Sequence, residues 1–337
     1  MGAGALNRQS GKRAFLVRQM VASLKILLTG ASSFSGAWFA RTLAEAGHDV
    51  VCACRGQRME DYRGSYRRRL EWLKQAQGVK LHWGMSFGDP AFLALVKEEP
   101  CALLAHHGAQ VGDYKSANFD LLGALAANTR NGREVLQAFA AAGGRGMVLS
   151  GSYFEPDEGH GGASARAFSP YGLSKGLTYQ VFRYYAETTG LAFGKFVLPN
   201  PFGPYEEPRF TAYLIKTWRE GKVAEVKTPD YVRDNIHVDL LAEVYRVFAE
   251  RVAAQGPVLS RINPSGYAET QGAFAQRYAR EMRPRLGWDC ALTLGSQPDF
   301  AEPLERVNTE PATQWCPDWD EAQAWDGVAD FYLACLE

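Results

Sequence analysis

Between Lys25 and Pro199, short apolar runs alternate with amphipathic stretches. "KILLTG", "DVVCAC", "VKLHW", "CALLAHH", "GMVLSG" and "LAFGKFVLP" are near-continuous apolar runs rather than in–out alternations, as strands covered on both faces require. The segments between them carry apolar residues at helical spacing. This rhythm predicts an α/β fold, a doubly wound parallel sheet of the Rossmann kind. After Pro199 the rhythm changes. Proline and glycine become frequent, as in "PNPFGPYEEPRF", and "DLLAEVYRVFAERVAA" stands out as an amphipathic helix. The pattern therefore divides the chain into an N-terminal extension (1–22), a sheet domain (23–198) and a smaller lobe (199–337).

Composition narrows the partners. Lys+Arg and Asp+Glu are equal at 37 each, so no overall field draws the protein to nucleic acid or to an anionic membrane, and a small molecule is the expected partner. No apolar stretch reaches the roughly 20 residues that cross a bilayer. The six cysteines (Cys52, Cys54, Cys101, Cys290, Cys316 and Cys335) show no C-x-x-C, which suggests a reduced, cytoplasmic protein without a metal site. The densest basic run, "YRRRLEWLK", mixes arginines with Leu70, Trp72 and Leu73 and reads as the solvated face of an amphipathic helix.

Candidate chemistry begins after the first strand. "LLTGASSFSGAWFARTLAEAG" places Gly30, Ser32, Ser33, Phe34, Ser35 and Gly36 in a small-residue turn that opens a helix. Strand, turn and helix in this order aim backbone N–H groups at a pyrophosphate. Ser33 replaces the middle glycine and is the least intrusive exception. The second strand ends in "CACRGQR", with no acid at its tip and with Arg55 and Arg58 nearby; this leans toward NADP over NAD, because an arginine suits the extra phosphate.

"AFSPYGLSKGLTYQ" holds the second motif. Ser169 suits an N-cap and Pro170 the first helical position, so Tyr171 and Lys175 fall one turn apart on one face. A phenol beside an ammonium ion gives up its proton more easily. Such a pair suits acid/base work.

Taken together, the T-G-x-x-x-x-x-G turn, the "HHGAQV" strand end, Asn128 in "NTRNGREVLQAF", a serine after the fifth strand, Y-x-x-x-K, "PNPFGP" and "YVRDNIHVDLL" resemble the extended short-chain dehydrogenase/reductases. More narrowly, they resemble the NAD-dependent epimerase/dehydratase group that acts on nucleotide sugars. The resemblance runs from about Lys25 to Leu241. It implies Tyr171 as acid/base, Lys175 as its partner on the nicotinamide ribose, and Ser152, preferred over Ser150, as the hydroxyl that holds the sugar oxygen. It also implies that His106, Gly108, Ala109, Asn128 and Pro199 line or support the NAD(P) cleft, and that Asn200, Arg209, Arg233 and Arg306 face the substrate diphosphate. His106 and His107, as strand neighbours, point to opposite sides and do not form a metal pair.

The acid that follows the catalytic threonine in dehydratases is absent; Glu155, Asp157 and Glu158 come later and read as loop acids. Oxidation and reduction at a sugar carbon, by 4-keto reduction or epimerisation, is therefore expected ahead of 4,6-dehydration, reduction of a non-sugar carbonyl, or a non-catalytic dinucleotide sensor. The same resemblance implies a homodimer built through the helices around Asn128 and after Tyr171.

Overall fold

The structure, a computed structural model, describes residues 22–159, 166–300 and 302–335; most of the expected N-terminal extension lies outside them. The first half alternates as its apolar runs require: β1 (Lys25–Thr29), α1 (Phe34–Glu45), β2 (Asp49–Ala53), α2 (Gly64–Lys74), β3 (Val79–His82), α3 (Pro90–Glu98), β4 (Leu103–His106), α4 (Leu121–Thr129), α5 (Gly132–Ala141), β5 (Gly146–Ser152), α6 (Pro170–Thr189) and β6 (Ala192–Leu198). The chain then runs through β7 (Asn200–Phe202), α7 (Phe210–Arg219), β8 (Ala224–Val226), β9 (Val232–His237), α8 (Val238–Ala254) and β10 (Leu259–Ile262).

Seven strands form one parallel sheet in the order β10-β6-β5-β4-β1-β2-β3. Alternate residues of each strand serve different cores. Ile26, Leu28, Val50, Cys52, Leu103, Ala105, Val148 and Phe196 pack under α1, α2 and α8; Leu27, Val51, Leu104, Met147, Leu149 and Phe193 pack under α3, α5 and α6. Both faces are thus dry along the inner strands, which read as unbroken apolar runs, whereas "VKLH" of β3 forms the sheet edge, alternates apolar and polar residues, and is only half-buried.

Residues 238–262 return to this sheet. Val238–Ala254 covers one face and Leu259–Ile262 adds the seventh strand beside β6. The segment after residue 198 is therefore interleaved with the sheet domain.

The second lobe is completed by β11 (Pro264–Ser265), β12 (Tyr267–Thr270), α9 (Gln271–Leu286), β13 (Leu292–Leu294), β14 (Glu305–Arg306), β15 (Glu310–Pro311) and α10 (Glu321–Ala334). It has its own core, in which Phe202, Trp218, Phe274, Tyr278, Met282 and Trp325 meet. Strand β9 pairs with β7, β12 and β14, and this small sheet carries Arg233 opposite Arg306 in register.

The basic run forms α2 with Arg67 and Arg68 toward solvent as expected, but one arginine departs from that role. Arg69 is fully buried. Its Nε donates to Tyr205 O at 2.8 Å, and its Nη1 to Glu207 Oε1 at 2.7 Å and to Ser32 O at 3.4 Å. One arginine of the run thus ties the glycine-containing turn to the second lobe.

Candidate active site

The turn between β1 and α1 is built for close approach. Gly30 has φ +81°, and a Cβ there would stand 2.7 Å from Gly108 N; one on Gly36 would stand 2.2 Å from Gly30 O. Only glycine fits either place. Ser33 is the N-cap of α1: its Oγ accepts from Gly36 N at 3.1 Å and donates to Gly30 O at 2.8 Å. The side chain that replaces the middle glycine is folded into the turn, leaving the mouth clear. Such a cradle at a helix N-terminus fits a dinucleotide pyrophosphate. Ser32 lies in the turn, Phe34 and Ser35 open α1, and Arg55 stands exposed just past the end of β2. An acid does stand near that tip: Asp61, whose Oδ2 accepts from Gln57 N at 2.7 Å and Arg58 N at 3.2 Å.

The two histidines diverge as expected. His106 Nδ1 lies 2.9 Å from Thr29 Oγ1 and its Nε2 3.3 Å from Asn128 O. Asn128 Oδ1 accepts from Gln110 N at 2.8 Å while its Nδ2 is buried without a partner. These residues tie the β4 end to α4. Gly108 N donates to Thr29 Oγ1 at 2.9 Å, and Ala109 follows it on the half-buried strand exit.

His107, to which the sequence assigns no cofactor role, has the more telling position. Its Nε2 is 3.0 Å from Ser33 Oγ and 3.1 Å from Ser35 Oγ, and its Nδ1 is 2.8 Å from Ser150 Oγ. Burial, then the nearby Lys175 charge, pushes it down to about 3, so a neutral ring joins the phosphate turn to β5. A pair of histidines ending an apolar strand was the only signal in the sequence.

Helix α6 begins as the sequence predicts. Ser169 Oγ accepts from Gly172 N at 3.3 Å, with Pro170 in the first turn. Tyr171 sits among Tyr114, Phe119 and Phe154, with ring centroids 5.8, 5.8 and 6.1 Å away. Burial, then the Glu155 carboxylate, pushes its phenol above the ordinary range, while the Ser152 hydroxyl pulls the other way. Lys175 is buried and donates from Nζ to Ser150 O at 2.5 Å; burial lowers its pKa. The net shift on Tyr171 is thus opposite to the depression expected from a neighbouring ammonium ion. Ser150 is occupied by His107, whereas Ser152 faces Tyr171.

An α/β sheet of this order, a glycine-gated turn and a Tyr-x-x-x-Lys helix meeting at the ends of β1, β4 and β5 define the site. The description "NAD dependent epimerase/dehydratase family" matches residues 26–260. The chain belongs to that family. No curated protein sequence matched it significantly.

Solved structures of similar fold include a UDP-glucose-4-epimerase from Stenotrophomonas maltophila (19% identity, 93% of this chain and 99% of that one, TM-score 0.71). A UDP-glucuronic acid 4-epimerase from Bacillus cereus is another (16%, 92% and 99%, 0.70). A third is the Thermus thermophilus UDP-glucose 4-epimerase (20%, 92% and 99%, 0.66).

In this epimerase/dehydratase-family chain, Glu155 and Glu158 lie in the loop after β5 as expected, but both are buried ion-pair partners. Lys195 Nζ, on β6, lies 2.6 Å from Glu155 Oε2 and 2.8 Å from Glu158 Oε1. Glu158 is also gripped by Arg261, with Nε at 3.0 Å. Glu155 Oε1 accepts from Ser152 N at 2.7 Å, so this carboxylate fixes the backbone that carries the candidate serine. A lysine inside the apolar run "LAFGKFVLP" was the sequence signal for such a partner.

The predicted substrate residues divide. Arg233 and Arg306 come together on Glu302, with Nη2 to Oε2 distances of 3.0 and 3.2 Å. Arg209 instead stands exposed over the Tyr114 ring at 5.9 Å. Asn200 Nδ2 donates to Asn235 Oδ1 at 2.6 Å, joining β7 to β9, and Pro199 is buried at the exit of β6. Among the described residues no His/Cys/Asp/Glu group is arranged to hold a metal, and no helix is long and apolar enough to cross a membrane.

Proposed function

We propose that this protein carries out NAD(P)-dependent chemistry at C4 of a nucleotide sugar, by epimerisation or by 4-keto reduction, through Ser152, Tyr171 and Lys175. The observation that carries the reading is the juxtaposition of Ser152 and Tyr171, at the end of β5, with a turn that leaves room for a pyrophosphate. The dinucleotide, when bound, supplies the hydride exchange at the sugar carbon. Gly30, Gly36 and the N-terminus of α1 receive its diphosphate. Tyr171 exchanges the proton of the 4-oxygen, and Ser152 holds that oxygen in line. Lys175 is placed to leave Ser150 O and grip the ribose.

Three neighbours bear on the partners. The Stenotrophomonas enzyme was solved with NAD and formylated UDP-arabinopyranose, the Bacillus enzyme with NAD and a fluorinated UDP-glucuronic acid, and the Thermus enzyme with NAD; they support NAD and a UDP-sugar. Exposed Arg55 supports NADP and a reductase. The burial of Glu155 and Glu158 under Lys195 leaves neither free to protonate a leaving hydroxyl, which weighs against dehydration.

The test is to denature protein purified without added cofactor and identify any released dinucleotide, then assay UDP-glucose and UDP-glucuronic acid for inversion at C4. Retained NAD with C4 inversion establishes an epimerase; an empty site that prefers NADPH and reduces a 4-keto sugar nucleotide establishes the reductase. Dinucleotide binding with no turnover of any carbonyl or sugar defeats both.

A cytoplasmic homodimer fits the same reading. Leu122 of α4 is 72% exposed and Tyr184 of α6 62% exposed, on two helices that pack together. A second copy laid on them would bury both. Leu122→Asp should yield a monomer in light scattering; a dimer of unchanged stability would place the interface elsewhere.

A further inference from the structure

The basic cluster on the small sheet is already occupied by a side chain of its own chain. Three cations converge on one carboxylate: Arg233 Nη2 and Arg306 Nη2 lie 3.0 and 3.2 Å from Glu302 Oε2, and Lys115 Nζ lies 3.7 Å from Oε1. We propose that Glu302 is a built-in competitor for the anionic group of the ligand, and that a nucleoside diphosphate binds by displacing it from Arg233 and Arg306. The proposal rests on the nucleotide-sugar reading above and deepens it.

The guanidinium groups are fixed without Glu302. Arg233 Nη1 donates to Val232 O, Pro303 O and Leu304 O at 2.8, 3.3 and 3.1 Å, and its plane lies over Tyr231 at 4.3 Å. Arg306 stacks on Phe168 at 3.6 Å and Phe154 at 4.3 Å. The backbone of Glu302 is also held, its N–H donating to Tyr231 Oη at 3.1 Å. Only the side chain must move for the two arginines to change partner.

The carboxylate also leaves the cluster incompletely satisfied. Arg306 is 2% exposed, yet its Nε is buried without a hydrogen-bond partner. A buried guanidinium with an idle donor is costly. One carboxylate against three cations leaves positive charge in excess. A diphosphate carries more charge and more acceptor oxygens than a carboxylate and suits the planar forks of two arginines. Burial works against ionisation of Glu302, but Lys115, Arg306 and Arg233 hold its pKa below the usual range, so the competitor is charged at neutral pH. Its side chain is 24% exposed, so an incoming anion can reach it. Phe154 touches both Arg306 and Tyr171, which sets this anion site one ring away from the acid/base residue.

The test is calorimetric titration of the full chain with UDP and with inorganic pyrophosphate, in the wild type and in Glu302→Gln. Removing the competing charge while keeping the side-chain volume should tighten both ligands by about tenfold. Unchanged or weaker binding, in a variant whose melting temperature matches the wild type, overturns the role of Glu302 and leaves the anion site standing. If neither protein binds UDP or pyrophosphate, the nucleotide-sugar reading falls, and this proposal with it. Should the glutamine variant fail to fold, Glu302→Asp carries the test. Its shorter stem loosens the grip on both guanidiniums, so its affinity should exceed that of the wild type, and equal or weaker affinity overturns the proposal.

Discussion

Tyr171→Phe should lower turnover of the nucleotide sugar by about 10²–10⁴-fold, the range for loss of a positioned general acid/base, with little change in dinucleotide affinity. The ring would keep its place among Tyr114, Phe119 and Phe154, so the substitution removes the proton and little else. The direction of the phenol's shift adds a second readout. Burial and the Glu155 carboxylate hold the phenol protonated, so at neutral pH it is ready to donate, the role needed when a 4-keto group is reduced. Oxidation of the sugar needs the phenolate. Its rate in the wild type should therefore climb with pH on the alkaline side, and the climb should vanish in Tyr171→Phe. Wild-type turnover in the variant would move the acid/base role to another group.

Lys195→Met should cost about 3–5 kcal/mol of stability in urea denaturation, the penalty for stripping one partner from a buried ion pair. Lys195 and both its carboxylates are almost wholly buried. Glu158 would still have Arg261, but Glu155 would keep only Ser152 N and the nearby charge of Lys175. Adding Glu155→Gln should therefore recover much of the loss, because the uncompensated charge disappears with it. The pH window follows from the direction of the lysine's shift. Burial opposes its charge, but Glu155 and Glu158 raise its pKa above the ordinary 10.5. Its contribution is thus fully present below about 10.5 and lost only as pH rises through the higher folded value. A double variant no more stable than Lys195→Met would show that the lysine acts through packing instead.

The fold was legible where burial is uniform. From β1 to β6 every strand except the half-buried edge strand β3 is dry on both faces, and every connection is helical, so composition alone marks the elements. The later half was less so. "DLLAEVYRVFAERVAA" announces a helix, but nothing in an amphipathic pattern says which sheet it covers, and α8 turned out to cover the first one. Tyr171, Lys175 and the Gly30–Gly36 turn were legible because their spacing is local to one helix and one turn. The groups that support them are joined across long sequence separations: His107 to Ser33, Ser35 and Ser150, Glu155 to Lys195, and Arg69 to Glu207. Each is a polar side chain whose partner is set by tertiary structure, and a linear pattern records only that it is out of place.

The late return of residues 238–262 to the large sheet has a consequence for synthesis. A nascent chain ending near Leu198 would hold six strands of the sheet, but β6 would be an open edge, and the face later covered by α8 would be bare. Open edges and uncovered apolar faces are what draw unfinished chains together. The sheet cannot close until the ribosome has delivered Ile262, so a gene cut at the apparent boundary should give aggregated product, whereas the same residues fold when the downstream segment follows.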